Sequence, residues 1–340
     1  MRNILIIKPS ALGDIVLALP ALHALRDHFK QAHITWLVRP EFAPLLDDHP
    51  ELNEVVLFDR KNLKTPRQLT ALIHALRSRR FDLVFDFQGL FRSAFLARVS
   101  GSPLRYGLAN ARECAPWFYT HRIKPDTDNL HLVDVYLKMA QQAGAAKAPA
   151  QFILPDTDAD RHTAFGLLEE KAIDPTAYTV FIPGSAHDTK CWPHERFAQL
   201  AEKLYHDYSL PTVAIGTQSE AQAIDQIVQA AQTPIINLAG QTNLKTLCAL
   251  LRHARLVISN DTGPGHIASG VGVPLVMLFS WSNPARIYPY GRPECMAAID
   301  PFSRDPRVIK SKDPEHNVRH VTFDMVWKKV EAQLTLSCLQ

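Results

Sequence analysis

Four short segments of the chain carry the residues whose types and spacing could do chemistry. The first is Lys8-Pro-Ser-Ala-Leu-Gly-Asp14, which directly follows an apolar run. Gly13 permits close approach of the backbone to a ligand, and Asp14 lies where a carboxylate could cap a helix or act as a general base. The spacing alone favours the cap. The segment lacks the GxGxxG pattern, which argues against a dinucleotide-dependent dehydrogenase.

The second segment, Gly184-Ser-Ala-His-Asp-Thr-Lys190, also follows an apolar run. Its small residues would let backbone amides approach phosphate oxygens, and Lys190 would supply a positive charge. A solvated loop lysine is the alternative interpretation. Because the segment lacks GxxxxGK[ST], it is not a P-loop.

The third segment, Asn260-Asp-Thr-Gly-Pro-Gly-His266, precedes a predicted helix of small residues over 267–272. The unpaired N–H groups at the amino end of that helix could hold a diphosphate without a metal ion. A carboxylate at Asp261 beside such an anion is costly unless it meets a hydroxyl group or a cation. His266 could donate to phosphate or satisfy a core contact, and its isolated position favours the core.

The fourth segment is Asp86-Phe-Gln-Gly-Leu-Phe-Arg-Ser93, which ends another apolar run. Together with Arg105 and Arg112 it places several guanidinium groups in the first half of the chain. Arginine forks suit carboxylates and phosphates, although surface arginines are the default interpretation.

These segments follow predicted strands, and strands alternate with helical patterns along the whole chain. That alternation is typical of an α/β fold with parallel sheets, which bind ligands beyond the carboxyl ends of their strands. Helical spacing covers 16–29, 68–77 and 130–143. The predicted strands are 4–7, 33–38, 54–58 and 83–87, then 178–182, 212–215, 235–237, 256–259 and 275–279.

The chain is predicted to form two Rossmann-like domains. Its 340 residues exceed the size at which a single core usually stops growing. A connection rich in alanine near 150 separates residues 1–150 from residues 151–322. An amphipathic stretch begins at 323, and the segment 323–340 could close the second domain or pack back on the first.

Composition limits the classes of partner. The net charge of +3 is too small to predict nucleic-acid binding, and no apolar run is long enough to span a membrane. Five scattered cysteines without a CxxC pair fit a reducing cytoplasm. We therefore expect a cytoplasmic protein without a nucleic-acid partner; the oligomeric state stays open.

Taken together, the motifs resemble those of the ADP-heptose:lipopolysaccharide heptosyltransferases, in order and spacing, from the first strand to about Gly291. The most specific elements are Lys8-Pro-Ser-Ala-Leu-Gly-Asp14, Asp86-Phe-Gln-Gly89, Lys190-Cys-Trp-Pro193 and Asn260-Asp-Thr-Gly-Pro-Gly-His266. The resemblance implies the GT-B fold, two Rossmann-like domains facing a cleft, with the acceptor bound mainly by the first domain and ADP-heptose mainly by the second. It implies no cofactor and no metal, and inversion at the anomeric carbon.

The resemblance also implies roles for individual residues. Asp14 matches the catalytic base, which reverses the preference for a cap, and Lys190 matches the lysine that approaches the donor phosphates. Asp261 matches the acid that engages the heptose hydroxyls, and Glu220 matches the acid that reads the adenosine ribose; a solvated glutamate at a helix start is its alternative. The full donor-binding set is Ser10, Gly13, Ser185, Lys190, Glu220, Asp261, Thr262, Gly263 and His266.

Within this family, Asp86-Phe-Gln-Gly-Leu-Phe-Arg-Ser93 looks most like the enzymes that add the first heptose to Kdo. The implied acceptor is Kdo-lipid A, whose carboxylates and phosphates would meet Gln88, Arg92, Arg105 and Arg112, with help from Lys61 and Lys64. Reaching it would require transient contact with the inner face of the inner membrane. The 184–187 stretch departs from the form expected of first-heptose enzymes, and Pro264-Gly265 replaces a bulkier pair before the histidine.

Two alternatives stay open at this point. The same fold could use another nucleotide sugar, or a later-core, polysaccharide or protein acceptor. A non-catalytic two-domain protein that closes on an anionic ligand is the other.

Overall fold

The computed structural model describes residues 2–59, 65–185, 187–303 and 314–337. The chain forms two compact units, Met1–Pro155 and Asp156–Gln340. Lys61 and Lys64 lie outside the described residues. No helix in the described ranges has the length and apolar character needed to cross a bilayer.

The first unit is built on a six-stranded parallel sheet. Its strands are β1 (Asn3–Ile7), β2 (His33–Val38), β3 (Glu54–Leu57), β4 (Leu83–Asp86), β5 (Leu104–Leu108) and β6 (His121–Ile123), in the order β3-β2-β1-β4-β5-β6. The central strand β1 is buried from Ile4 to Ile7, because parallel sheets are covered on both faces.

Four helices cover this sheet, namely α1 (Leu12–His28), α2 (Pro66–Ser78), α3 (Phe91–Val99) and α4 (Leu132–Gln142). Helix α2 begins with a capping box in which Thr65 and Gln68 satisfy each other's backbone N–H groups. The N-cap of helix α4 is His131, whose Nδ1 accepts a hydrogen bond from the backbone N–H of Val133 at 3.2 Å.

The second unit repeats the same architecture. Its strands are β7 (Thr179–Ile182), β8 (Thr212–Ala214), β9 (Ile235–Asn237), β10 (Leu256–Asn260), β11 (Leu275–Leu278) and β12 (Met296–Ala297), in the order β12-β11-β10-β7-β8-β9. Its helices are α5 (Asp158–Glu169), α6 (His194–Tyr208), α7 (Ala221–Ala230), α8 (Leu244–His253), α9 (Gly263–Val271) and α10 (Phe323–Ser337).

The last helix, α10, is part of the second unit. Val326, Val330 and Leu334 lie one turn apart on one face and join the core formed by Trp192, Phe197 and their neighbours. The sequence left open which domain this helix covers, and its buried side chains lie in the second core.

Both sheets reverse their winding direction at their centre. In the first, β1 lies between β2 and β4; in the second, β7 lies between β8 and β10. At such a switch point the loops leaving two neighbouring strands diverge and leave a crevice for a ligand. The segments after β1 and β4, and those after β7 and β10, are the four motif-bearing segments predicted from the sequence.

Candidate active site

The segment after β1 pairs a buried lysine with Asp14. Lys8 Nζ donates to Asp14 Oδ2 at 2.9 Å, and the Asp14 side chain remains 39% exposed. The backbone carbonyl of Lys8 accepts a hydrogen bond from Trp36 Nε1 at 3.2 Å, which fixes the start of the loop. Burial alone would lower the pKa of Lys8, but Tyr136, Asp14 and Asp86 raise it above its ordinary value. Lys8 therefore remains a cation beside Asp14.

Asp14 does not cap the helix in which it lies. Helix α1 has Ala11 as its N-cap, without a side-chain cap hydrogen bond, and Asp14 turns to Lys8 instead. Only Oδ2 of the carboxylate is engaged by the described residues, which leaves Oδ1 available. An ionised carboxylate with one free oxygen can accept a proton from a hydroxyl group.

Asp86, at the end of β4, organises the neighbouring loop. Its Oδ1 accepts from the backbone N–H groups of Gln88 at 2.9 Å and Gly89 at 3.2 Å, and its Oδ2 accepts from Tyr119 Oη at 2.6 Å. The carboxyl group is fully buried, and burial raises its pKa above the ordinary value even though these hydrogen bonds oppose the shift. Asp86 thus shapes the loop and does not face solvent.

Gly107 on β5 makes room for the ring of Tyr119. A Cβ atom at this position would lie 2.2 Å from ring carbon Cε2 of Tyr119, far inside van der Waals contact. The hydrogen bond between Tyr119 and Asp86 therefore depends on a glycine that no motif identified.

The predicted acceptor residues differ in what their side chains already contact. Gln88 Oε1 accepts from the Ser10 backbone N–H at 3.4 Å and so links the loops after β4 and β1. Arg92 and Arg112 are exposed, and the Arg112 backbone N–H donates to the Gly89 carbonyl at 3.1 Å. Arg105 differs from them.

The guanidinium group of Arg105 is used by the fold. Its Nε donates to the Phe118 carbonyl at 2.8 Å, and its Nη1 donates to the Ser102 carbonyl at 2.6 Å. Arg105 is therefore less available to an anionic ligand than Arg92 or Arg112.

In the second unit, the loop after β7 and the loop after β10 are joined by an ion pair. Lys190 Nζ lies 2.7 Å from Asp261 Oδ2, with 15% and 6% of the two side chains exposed. Ser282 Oγ donates to the same carboxylate oxygen at 2.6 Å, and His266 Nε2 lies 3.6 Å from Oδ1. Asp261 thus has the cation and the hydroxyl group that its burial requires.

These contacts keep Asp261 ionised. Burial would raise the pKa of its carboxyl group, but the interactions with His266 and Lys190 outweigh burial and hold the pKa well below its ordinary value. Lys190 also lies over the ring of Trp281, 4.6 Å from the centroid, and retains N–H groups for further acceptors. The site thus combines the ionised carboxylate of Asp261 with the ammonium group of Lys190, which can still donate hydrogen bonds to a ligand.

Helix α9 begins beside this pair. Thr262 is its N-cap, and the hydroxyl group accepts from the Gly265 backbone N–H at 3.3 Å. A Cβ atom at Gly265 would lie 2.5 Å from Ser259 Oγ, so a glycine lets the helix lie close to β10. Gly263 lies in the first turn. Pro264 has no N–H, and the N–H groups of Gly265 and His266 already bond Thr262, so among the described residues of this turn the Gly263 N–H and the helix dipole remain to favour an anion.

Asn260 links the loop after β7 to the loop after β10. It is fully buried; its Nδ2 donates to the Pro183 carbonyl at 2.6 Å, and its Oδ1 accepts from the Trp192 backbone N–H at 3.2 Å. One side chain therefore sets the positions of three segments that surround Lys190 and Asp261.

The Glu220 side chain packs against Gly184 in the loop after β7. Its Oε2 accepts from the backbone N–H and the hydroxyl group of Thr217 at 2.6 and 2.8 Å, as a helix-start residue would. Its Oε1 occupies the space beside Gly184, where an added Cβ would lie 1.9 Å away. Ser185, next to Gly184, is partly exposed. Glu220 thus helps to cap the helix start through Oε2, while its Oε1 accepts no hydrogen bond from the described residues.

Sequence reasoning missed the residues that follow β11. Ser282 bonds Asp261, Trp281 stacks on Lys190, and Trp281 Nε1 donates to Thr189 Oγ1 at 3.1 Å. The same rule that identified the other loops, polar residues directly after a parallel strand, would have found them.

Two Rossmann-like units, each with its polar side chains at the switch point of its sheet, define the class of open α/β proteins that bind ligands at the carboxyl ends of their strands. Residues 69–311 match glycosyltransferase family 9 (heptosyltransferase), and the chain belongs to this family. The resemblance predicted from the motifs is confirmed, and the protein is a glycosyltransferase of the heptosyltransferase type.

Relatives of more than one type are similar to the chain. Lipopolysaccharide core heptosyltransferase OpsX of Haemophilus influenzae is 26% identical over 88% of this chain and 84% of its own length. Lipopolysaccharide heptosyltransferase 1 of Pseudomonas aeruginosa is 30% identical over the same shares. Lipopolysaccharide heptosyltransferase 2 of Escherichia coli is 26% identical over 93% and 90%.

Solved structures share the architecture. A family 9 glycosyl transferase of Veillonella parvula superposes with a TM-score of 0.84 at 23% identity, covering 98% of this chain and 97% of that one. The Escherichia coli heptosyltransferase WaaC with ADP-2-deoxy-2-fluoro heptose gives a TM-score of 0.74 at 22% identity, covering 97% and 99%. The predicted α/β class and GT-B fold are confirmed.

Proposed function

We propose that this protein transfers heptose from ADP-heptose to a Kdo residue of lipid A-linked lipopolysaccharide inner core, with inversion and without a metal ion. The relatives are named for lipopolysaccharide, and the structure of WaaC holds an ADP-heptose analogue. The observation that carries the proposal is the buried pair of Lys190 and Asp261 at the amino end of α9.

The donor diphosphate binds at the start of α9. The backbone N–H of Gly263 and the helix dipole attract the phosphate oxygens, and Lys190 offers its remaining N–H groups. As the bond from the anomeric carbon to the phosphate oxygen breaks, negative charge grows on the leaving ADP. Donors already fixed in place stabilise that charge more in the transition state than in the ground state, which accelerates transfer.

The carboxylates of the second unit read the neutral parts of the donor. Asp261 stays ionised and accepts hydrogen bonds from heptose hydroxyl groups, while Ser282 and Lys190 hold its other oxygen. Glu220 accepts from the ribose hydroxyls through Oε1, since Thr217 occupies Oε2. The two acids would thus orient opposite ends of one donor.

Asp14 is the general base. Its free Oδ1 takes the proton of the acceptor hydroxyl group as that oxygen forms its bond to the anomeric carbon from the face opposite the diphosphate. ADP leaves with the electron pair of the broken bond, so the configuration inverts. Lys8 holds Oδ2 and keeps the carboxylate oriented.

Arg92 and Arg112 bind the acidic acceptor, while Gln88 links the loop after β4 to the loop after β1. Both arginines are exposed on segments joined through the Gly89 carbonyl, and forked guanidinium groups suit Kdo carboxylates and lipid A phosphates. Assignment to the first-heptose type is supported by the 30% identity to heptosyltransferase 1 of Pseudomonas aeruginosa. Because the proposed acceptor is lipid-linked, we propose that the enzyme works in the cytoplasm in peripheral contact with the inner face of the inner membrane.

A matrix of donors and acceptors tests this function. ADP-heptose and other nucleotide sugars are each supplied with a Kdo-terminated acceptor and with the same acceptor already carrying one heptose. We expect turnover only for ADP-heptose with the Kdo-terminated acceptor. Faster transfer to the heptosylated acceptor would assign a later step of core assembly, and preference for another nucleotide sugar would refute the donor assignment.

A further inference from the structure

An aromatic patch lies on the first unit, formed by Phe91 and the partly buried Phe95 of α3, by the partly buried Phe118 of the 3-10 helix before β6, and by Trp117, its neighbour in the chain. The Phe118 ring packs edge-on against Phe91 and Phe95, with centroids 5.4 and 6.5 Å apart. Phe91 is 46% exposed and Trp117 is 77% exposed. Exposed aromatic side chains at neighbouring positions make the patch a candidate interaction surface.

The stretch that carries the patch is strongly basic. Residues 91–124 contain one acid, Glu113, and six cations, a net charge of +5 against +3 for the whole chain. The cations are Arg92, Arg98, Arg105, Arg112, Arg122 and Lys124. All except Arg105 are exposed. A partner for this surface must therefore accept aromatic side chains and carry negative charge.

We propose that the aromatic patch docks the first unit onto an anionic phospholipid bilayer, with Trp117 at the depth of the headgroups. Tryptophan is favoured at the membrane interface because its ring is apolar and its N–H is polar. Each arginine near an anionic surface adds attraction that salt screens. The choice of a lipid partner rests on the proposed function, in which the acceptor is lipid-linked.

The patch is hydrogen-bonded to the segments that carry Arg92 and Arg112, the proposed acceptor-binding residues. The Glu113 carboxylate accepts from the Phe91 backbone N–H at 3.2 Å, and the Arg112 backbone N–H donates to the Gly89 carbonyl at 3.1 Å. Docking through Trp117 would therefore hold Arg92 and Arg112 at the bilayer surface, where the phosphates and carboxylates of a lipid-linked acceptor lie.

Vesicle sedimentation tests the docking without donor or acceptor, so its outcome is independent of whether the proposed transfer occurs. The full chain is mixed with phosphatidylglycerol–phosphatidylethanolamine vesicles, and separately with phosphatidylcholine vesicles, at low and high salt. We expect binding to the anionic vesicles only, weakened by salt. The double variant Trp117→Ser with Phe91→Ser should bind at least about tenfold more weakly. Tyr205→Ser, which removes an exposed aromatic residue from α6 of the second unit, should bind like wild type.

Two further variants define the contact. Arg98→Glu with Arg122→Glu should weaken binding to anionic vesicles while leaving the melting temperature nearly unchanged, since both side chains are exposed. Brominated lipids should quench tryptophan fluorescence in wild type and much less in Trp117→Phe. Unchanged binding of the double aromatic variant to the anionic vesicles would overturn the proposal. If that variant also lost self-association in vesicle-free solution, the patch would join copies of the chain instead of docking on a bilayer.

Discussion

Lys190 and Asp261 lie 71 positions apart in the chain, yet their charged atoms are 2.7 Å apart. They stand in the loops after β7 and β10, two strands that are neighbours only because the winding of the sheet reverses between them. The ion pair is largely buried, so each charge depends on the other. It also places a cation beside the amino end of α9, where an anion is favoured.

Breaking this pair from one side should destabilise the protein. Lys190→Met leaves the Asp261 carboxylate buried without its cation, and the loss of one partner of a buried pair typically costs about 3–5 kcal/mol. Donor affinity should fall as well. Urea unfolding measures the first effect, and calorimetry with ADP-heptose measures the second.

The matched control is the double variant Lys190→Met with Asp261→Asn, which removes both charges. Its stability should be higher than that of Lys190→Met alone, while donor binding stays weak. If the losses of unfolding free energy in Lys190→Met and in Asp261→Asn simply add up to the loss in the double variant, the two charges do not stabilise each other.

Asp14→Asn should separate catalysis from donor binding. Asparagine cannot take the acceptor proton, so kcat should fall by on the order of 10²–10⁴ while the Kd for ADP-heptose stays the same. Since Asp14 does not cap α1 and an asparagine side-chain oxygen can still accept from the buried Lys8, the fold should persist at lower stability. Single-turnover kinetics and donor calorimetry on the same preparation measure both quantities. Equal losses of donor affinity and rate would assign Asp14 to binding and not to proton transfer.

The Asp261 carboxyl group also predicts a pH dependence. Its pKa is lower in the folded protein than the ordinary value of about 3.9, so it contributes stability that is present above that value and is lost as the pH falls toward the folded pKa. The difference in unfolding free energy between wild type and Asp261→Asn should be constant above about pH 5 and shrink on further acidification. Urea unfolding across this range checks it; a difference that grows toward acid pH would show that the charged form is not the stabilising one.

Gly107 should tolerate no side chain. In Gly107→Ala the new Cβ would meet the rigid ring of Tyr119 at 2.2 Å, so the ring must move away from Asp86. We expect a loss of about 1–3 kcal/mol from overpacking, with a further loss from the buried carboxyl group. Chemical denaturation gives the value.

Gly166→Ala is the matched control, because a Cβ at Gly166 on α5 meets nothing within 4 Å and alanine favours helices. That variant should be as stable as wild type or slightly more stable. Similar losses in both would show that backbone entropy, and not the Tyr119 contact, governs position 107.

Features of the fold that depend on residues close together in the sequence could be predicted from it, and features that depend on distant residues could not. The central strands were predicted, because buried parallel strands are short runs of apolar residues with a loop after each. Strands β5 and β6 were missed, since Leu104-Arg-Tyr-Gly-Leu108 and His121-Arg-Ile123 mix charged residues or glycine with apolar ones, as strands toward the edge of a sheet can.

The candidate site divides in the same way, into loops that the sequence predicted and partner residues that only the tertiary structure brings close. The loops that hold Asp14, Lys190 and Asp261 were found because each directly follows a strand. Their partners were not: Ser282 and Tyr119 reach their carboxylates from 21 and 33 positions away, a distance that only tertiary packing determines. For Asp14, helix-start spacing predicted a cap, and the buried Lys8 side chain explains why the carboxylate turns elsewhere.

The central claim is transfer of one heptose to Kdo without a metal ion. The most direct measurement is product analysis after chelator-treated protein has been incubated with ADP-heptose and a Kdo-terminated lipid A acceptor. Mass spectrometry should show one added heptose at an undiminished rate, and NMR should show an anomeric configuration opposite to that of the donor. Release of ADP without transfer, retention of configuration, or activity that returns only with magnesium or manganese would contradict the account.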